Sequence, residues 1–298
     1  MWQIQTYHGR VAALLFLCAC GWAFGCSSVD YLPKGGGEKI CHTYYTIGYH
    51  AQHKQASWVY YELKERGGRK VSRKDNFRVD PKVKEGISTP EDYKRSGYDQ
   101  GHLCPAADMS FDVRAMSETF YMSNMSPQEP AFNRGAWKRL EEQVRKRARK
   151  ELLYVVTGPV FKNNKGYIGK NRVTVPGYYY KLFYAPVKQQ MIAYVLPNQA
   201  ISRSLSQYAV PVDKVEELTG LDFFSQLPDE VEQVLEADTN VHLARFATPE
   251  KEPRQPKPTQ RWIAVVGVIV LFLLVQFLLH RFTAKWGKKR GRKHKKKR

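Results

Sequence analysis

The residue of this sequence best suited to proton transfer is His102, which directly follows a glycine in the stretch 98–105. Its imidazole has an ordinary pKa near ~6.5, so the neutral form can take a proton from water near neutral pH. Asn133 and Glu141 follow, and amide and carboxylate oxygens are the ligands that a hard cation such as Mg²⁺ prefers. Together these residue types indicate metal-assisted hydrolysis, because a cation can neutralise a phosphate while a base activates water.

One predicted helix positions the two oxygen ligands. Residues 135–150 carry an apolar stripe at helical spacing, with a dense Arg/Lys face opposite. Asn133 and Glu141 are eight residues apart. If the helix begins near Asn133, both side chains project to roughly the same side of it.

Strands are predicted wherever Tyr, Thr, Val and Trp are concentrated, and two amphipathic stretches near the end of this region predict short helices. The predicted strands are 40–49, 58–63, 152–156, 178–184 and 190–196, and the predicted short helices are 212–219 and 229–237. These elements lie within one predicted domain, residues 35–247.

The first 26 residues are typical of an export signal or an N-terminal anchor. Arg10 precedes an apolar run at 11–24, which is too short for a confident membrane span and suits a signal peptide. The sequence leaves open whether this segment is cleaved, lipidated at Cys26 or retained.

The C-terminal end predicts a membrane anchor. Residues 248–261 form a proline-rich linker, and 262–280 form an apolar stretch long enough to be a transmembrane helix. The tail 281–298 holds eleven Lys or Arg, so the rest of the chain keeps +9 of the net charge of +20. The positive-inside rule places this tail in the cytoplasm and the domain on the other side, the periplasmic side in a bacterial cell.

Five cysteines are too few for a disulfide scaffold. Cys41 and Cys104 lie in the predicted domain and could pair outside the cytoplasm, although spacing alone does not establish a bond. A Cys/His nucleophile or a zinc site around Cys104 is disfavoured, because no second ligand pair occurs at zinc spacing.

Four motifs in order resemble the DNA/RNA non-specific endonuclease family, which includes endonuclease G, over roughly 39–246. They are Asp-Gln-Gly-His at 99–102, Asn-Met-Ser-Pro-Gln at 124–128, Phe-Asn-Arg-Gly-Ala-Trp at 132–137 and Leu-Glu at 140–141. The resemblance implies an α+β fold of the ββα-metal (His-Me finger) type with a central antiparallel sheet, and hence a Mg²⁺-dependent phosphodiester hydrolase. Mn²⁺ is a possible substitute metal.

The same resemblance assigns roles to individual residues. His102 would be the general base, Asn133 the direct Mg²⁺ ligand, and Glu141 a catalytic carboxylate that holds a metal-bound water. Asn124 would orient the site, and Arg73 would contact phosphate.

Gln100 departs from the family pattern, which usually reads Asp-Arg-Gly-His. Glutamine can donate a hydrogen bond to a phosphate oxygen but brings no charge, so stabilisation of the transition state is expected to be weaker. The base, the metal ligand and the carboxylate are all present, so we expect an active enzyme with Gln100 as part of its site.

The leading hypothesis is a membrane-anchored endonuclease that acts on DNA and RNA with little sequence preference, because it reads the backbone. An alternative is a catalytically weakened module that binds nucleic acid and tethers it at the cell envelope. A third is a phosphodiesterase acting on a small nucleotide or a lipid head group. The sequence leaves open the biological role, the preference for DNA or RNA and the oligomeric state, including a possible homodimer.

Overall fold

The structure, a computed structural model, describes residues 31–67 and 70–238. The expected signal or anchor 1–26, the linker 248–261, the transmembrane helix 262–280 and the basic tail 281–298 lie outside these residues. Within the described ranges, no helix has the length and apolar character needed to cross a membrane.

A seven-stranded antiparallel sheet forms the centre of the domain, as predicted. Its strands, in spatial order, are β1 (Glu38–Cys41), β2 (Tyr45–His50), β3 (Gln55–Leu63), β6 (Leu153–Val160), β9 (Tyr178–Ala185), β10 (Gln190–Pro197) and β11 (Ala209–Val210). Two small antiparallel two-stranded sheets lie outside it: β4 (Asp99–His102) with β5 (Met125–Gln128), and β7 (Tyr167–Ile168) with β8 (Val173–Thr174).

The helices are few and short, which with the sheet gives the expected α+β class. They are α1 (Pro90–Tyr93), α2 (Val113–Glu118), α3 (Lys138–Ala148), α4 (Val212–Thr219) and α5 (Asp229–Ala237). Single-turn 3₁₀ segments lie at Met122–Asn124 and Leu205–Tyr208, and a π-helical segment at Phe132–Trp137 leads into α3. The bounds of α4 and α5 are those that the sequence predicts.

The central sheet is covered on both faces, and alternation along β9 shows how. Tyr179 and Phe183 pack in the same apolar cluster as Leu140 of α3. Tyr180 points the other way, into the cluster that contains Val215 of α4. Each fully buried side chain of this size contributes on the order of 1.5–3 kcal/mol. We call the α3 side the first face of the sheet and the α4 side the second face.

The predicted strand 40–49 is instead two strands joined by a tight turn. The backbone N–H of His42 donates to the carbonyl of Tyr45 at 2.8 Å. Thr43 in the turn donates from its backbone N–H and from its hydroxyl to the carboxylate of Glu118, both at 2.8 Å. The turn carries no glycine or proline because this distant carboxylate holds it, so the local pattern could not show it.

The histidine motif itself forms a strand, an element that the sequence analysis did not assign. β4 pairs with β5 in the register Asp99 to Gln128 and His102 to Met125. A Cβ at Gly101 would lie 2.2 Å from the side-chain oxygen of Gln128, so the glycine leaves the space that the buried Gln128 side chain fills. The pairing joins segments distant in sequence, which short-range patterns do not reveal.

The disulfide left open by the sequence does not form. Cys104 is a free and fully buried cysteine, so it makes no bond to Cys41. It packs in the apolar cluster of the first face.

Candidate active site

Five of the six residues predicted for the site line one open pocket of about 550 Å³. The pocket lies between β4, residues 105–107 and the start of α3 on the first face of the sheet. Its charged and polar lining side chains are Arg73, Asp99, Gln100, His102, Asn133, Arg134, Lys138, Glu141 and Arg145. Asn124 is the predicted residue that does not line this pocket.

His102 ends β4 and is held between two aromatic rings. The ring centroids of Phe77 and Phe120 lie 5.8 and 4.9 Å from that of the imidazole, and the Phe120 ring is perpendicular to it. The Nε2 atom of His102 is buried and has no hydrogen-bond partner among the described residues. The aromatic walls therefore restrict the ring orientation on the side where Nε2 has no hydrogen bond.

This environment keeps the imidazole neutral. Burial lowers the pKa of His102 to about 3, and the positive charge of Arg73 acts in the same direction, while Asp75 opposes both weakly. At neutral pH the residue is thus a proton acceptor.

A carboxylate orients the amide of Asn133. The Nδ2 atom of Asn133 donates to Oδ2 of Asp99 at 2.9 Å. Arg134 binds the same carboxylate through Nε at 2.9 Å and Nη2 at 2.7 Å. Because Asp99 accepts from the nitrogen side of the amide, the Oδ1 atom of Asn133 is left available as an oxygen ligand for a cation.

The π-helical segment improves the alignment of Asn133 with Glu141. In a regular α-helix a spacing of eight residues is two turns plus ~80°. A π-helical turn absorbs one extra residue, so the two residues stand as if about seven apart, close to two full turns. Both side chains reach the pocket. The sequence predicted the shared side, whereas the structure shows an irregular rather than a regular helix there.

Glu141 lies near three further charged side chains, Lys181, Asp108 and Arg145. Burial raises the pKa of Glu141 to about 7, against the opposing positive charges of Lys181 and Arg145. Lys181 is fully buried on β9, and its Nζ lies 5.0 Å from the centroid of the Trp137 ring. Arg145 pairs with the carboxylate of Asp108 at 2.6 Å. An amide oxygen and a carboxylate at one pocket form the hard donor set that suits Mg²⁺.

Asn124 acts from behind the pocket. Its Oδ1 accepts from the backbone N–H of Cys104 at 2.8 Å, and its Nδ2 donates to the carbonyls of Cys104 at 3.0 Å and Thr119 at 2.8 Å. The backbone carbonyl of Asn124 also accepts from Leu103 at 3.0 Å. The side chain is fully buried, so it fixes the chain that follows His102 and contacts nothing in the pocket.

Gln100 lines the pocket, where it adds no charge. Four cations line the same pocket: Arg73, Arg134, Lys138 and Arg145. The pocket is therefore strongly basic even though the position of the motif arginine is neutral.

A second, smaller basic pocket of about 90 Å³ adjoins the first and shares Ala107 and Arg145 with it. Its further cations are Lys64, Arg66, Lys70 and Arg149. The guanidinium of Arg66 lies 4.3 Å above the centroid of the Phe111 ring. We call these residues the basic extension of the pocket.

Sequence reasoning missed Asp99, Arg145 and Lys181. Asp99 is the first residue of the histidine motif, and Arg145 lies one helical turn after Glu141, so both had a local signal. Lys181 had none, because a lysine within a strand pattern is ordinarily read as solvent-exposed.

The chain matches the family described as DNA/RNA non-specific endonuclease over residues 27–230. It is 39% identical over 204 residues to Nuclease C1 of Cunninghamella echinulata var. echinulata, a match that covers 61% of this chain and 81% of the relative. It is 34% identical over 198 residues to human mitochondrial Endonuclease G, covering 60% of this chain and 67% of the relative. A solved structure described as the EndoG/EndoGI complex aligns with a TM-score of 0.61 at 33% identity, covering 65% of this chain and 88% of that one.

Proposed function

The chain belongs to the DNA/RNA non-specific endonuclease family, and from that premise we infer that it hydrolyses phosphodiester bonds in both DNA and RNA with the help of Mg²⁺. The family is one of divalent-metal-dependent nucleases. The observation that carries the inference is the convergence of His102, Asn133 and Glu141 on one basic pocket.

His102 is the base in this proposal. Its pKa of about 3 keeps the ring unprotonated in the physiological range, so a nitrogen lone pair is free for the proton of an attacking water, but it also makes the ring a weaker base than an ordinary histidine. Because Nε2 is enclosed, we assign Nδ1 as the atom that faces the water. The rings of Phe77 and Phe120 prevent the imidazole from turning away.

Asn133 and Glu141 are the residues that would hold the cation. When bound, Mg²⁺ supplies charge neutralisation for the phosphate and for the leaving oxygen. Asp99 keeps the amide of Asn133 in one orientation, as partners of metal ligands commonly do. Lys181 and Arg145 offset part of the cost of an ionised Glu141.

Substrate binding rests on the cations of the pocket. Arg73, Arg134 and Lys138 are placed to contact phosphate oxygens, and Asn124 holds the chain that carries the base. Such contacts are to the backbone and carry no sequence information, which agrees with low specificity. The basic extension offers a path for a second phosphate group of the same strand.

The test is cleavage of supercoiled plasmid and of RNA by the purified full-length protein with Mg²⁺, with and without excess EDTA. We expect cleavage of both substrates, abolished by EDTA and reduced roughly 10²–10⁴-fold in His102→Ala. His50→Gln is the matched control, since His50 lies in a different pocket of the described chain, beside Phe161.

The tethering alternative makes a different forecast for the same assay. A protein that binds plasmid in a salt-dependent way but leaves it and RNA intact with Mg²⁺ or Mn²⁺ would contradict nuclease activity. It would favour the nucleic-acid-binding module, with Gln100 as the position where catalysis was weakened.

We also propose that the nuclease domain is held outside the cytoplasm by a transmembrane helix at 262–280. The support is the apolar stretch itself, the basic tail 281–298 and the export-type N-terminus. Protease added to intact spheroplasts should remove the domain and spare an epitope tag on the C-terminus. Protection of the domain together with cleavage of the tag would contradict the orientation.

A further inference from the structure

The second face of the sheet carries a compact group of three carboxylates. Asp213 and Glu216 lie on α4, and Glu236 lies on α5. One oxygen from each residue lies within 4.8 Å of the other two. Among the described residues, this is the one group of His, Cys, Asp or Glu side chains close enough to share a cation.

Glu236 gives this group its significance. The residue is only 6% exposed, and its Oε1 atom has no hydrogen-bond partner in the described chain. Burying a carboxylate without a partner is strongly unfavourable. One of its oxygens lies within 4.8 Å of an oxygen of each of two further acids, so any negative charge on Glu236 would be opposed by its neighbours.

No basic side chain in the described residues forms an ion pair with these three acids. The lysines that pair in this region bind other partners, Lys34 with Asp222 at 3.2 Å and Lys214 with Glu217 at 2.6 Å. Burial, followed by the charge of Glu216 and other nearby acids, raises the pKa of Glu236 to about 8. Within residues 31–67 and 70–238, the cluster therefore has no paired counter-charge.

We propose that Asp213, Glu216 and Glu236 form a second divalent-cation site, suited to Ca²⁺, that fastens α5 to α4. Two oxygens on opposite sides of Ca²⁺, each about 2.4 Å away, are about 4.8 Å apart. Mg²⁺ demands a stricter octahedral geometry. Ca²⁺ accepts irregular ligand geometry and would complete its shell with water.

Contacts with neighbouring residues hold parts of the proposed site in place. Oε1 of Glu216 accepts from the backbone N–H of Phe223 at 2.8 Å, which fixes this carboxylate. Leu235, next to Glu236, packs against the apolar cluster of the second face. A cation between the helices would thus join α5, the last element described, to the sheet. This site lies across the sheet from His102 and has a structural role.

Calcium binding should be measured on the full-length Asn133→Ala protein, in which the proposed catalytic ligand is absent. We expect equilibrium dialysis with ⁴⁵Ca²⁺ to find one bound ion, and the Tm to rise by roughly 5–8 °C at Ca²⁺ ~100-fold above its Kd relative to EDTA. Adding Glu236→Gln should abolish both effects. It should also raise the Tm in EDTA, since a buried repulsive charge is removed.

Glu230→Gln is the matched control, because Glu230 lies exposed on the same helix and the substitution removes the same charge. It should leave calcium binding and the Tm shift intact. Absence of bound calcium in the Asn133→Ala protein would overturn the proposal, and an unchanged Tm in EDTA for Glu236→Gln would then mean that Glu236 is simply protonated. Calcium binding that survives Glu236→Gln would also overturn it.

Discussion

The two faces of the central sheet carry opposite charges in their functional groups. On the first face, Arg73, Arg134, Lys138 and Arg145 surround a pocket with only two acids, Asp99 and Glu141. On the second face, three carboxylates lie together, and no basic side chain of the described residues forms an ion pair with them. The net charge of +20 therefore conceals two different environments, one suited to a polyanion and one suited to a small cation.

The carboxylates Glu141 and Glu236, one on each face, also differ in the charges that surround them. Glu141 has the buried Lys181 and the half-buried Arg145 beside it, whereas Glu236 has mainly other acids. We learn from this difference that buried carboxylates in one molecule need separate explanations. The first belongs to a network of mixed charges around the candidate active site, and the second has no such network among the residues that the structure describes.

Asp99→Asn is expected to have the largest effect that is confined to the first face. Loss of the carboxylate that orients Asn133 should weaken Mg²⁺ affinity roughly 10–100-fold, the usual range for a partner of a metal ligand. The measurement is the Mg²⁺ concentration for half-maximal plasmid cleavage. The calcium-dependent Tm shift of the second face should not change, and an unaltered Mg²⁺ requirement would contradict the role of Asp99.

The next prediction concerns the pH dependence of Mg²⁺ binding at the pocket of the first face. Because the pKa of Glu141 is about 7, its carboxyl is mostly protonated at pH 6 and must lose that proton when a cation binds. The apparent affinity for Mg²⁺ should rise up to ~10-fold per pH unit below pH 7 and level off near pH 8. The pKa of His102 lies too low to interfere.

The control for this titration is Glu141→Gln, measured by its residual cleavage. The glutamine cannot lose a proton, so the pH dependence of the Mg²⁺ requirement should disappear. A slope equal to that of the unaltered protein would assign the titration to another group.

A smaller effect is expected from Gln100→Arg, which makes the basic face more basic. A charged hydrogen bond to phosphate in place of a neutral one adds about 1 kcal/mol, so kcat/KM should rise about 5-fold. Gln100→Lys would test whether charge alone suffices, since lysine lacks the planar fork of arginine. A decrease with both variants would show that the glutamine makes a contact of its own.

The smallest effect is expected in the basic extension. The logarithm of the association constant for duplex DNA falls linearly with the logarithm of the salt concentration. Arg66→Gln should make the slope of this line smaller by about 0.9 if one phosphate contact is lost. Lys162→Gln is the matched control, because Lys162 and the basic extension lie at opposite ends of β6. Leu63, beside the extension, pairs with the first residue of β6, whereas Lys162 follows its last residue. Equal changes in both variants would indicate a general charge effect and no subsite.

Much of this molecule follows from local patterns in the chain. The apolar period fixed the bounds of α4 and α5, and the residue types around His102 indicated hydrolysis before any fold was known. These predictions succeed because helical periodicity and catalytic chemistry are properties of short segments. The turn at Thr43 was missed because Glu118 holds it from far along the chain.

The sequence by itself therefore indicated the class of chemistry, the family and five of the residues that line the pocket. Only the tertiary structure decided how those residues are tuned: the aromatic walls that lower the pKa of His102, the carboxylate that orients Asn133 and the π-helical turn that aligns it with Glu141. It alone placed Glu236 against the acids of α4. The physical reason is that burial and long-range contacts set electrostatic energies, and neither is encoded in the spacing of neighbouring residues.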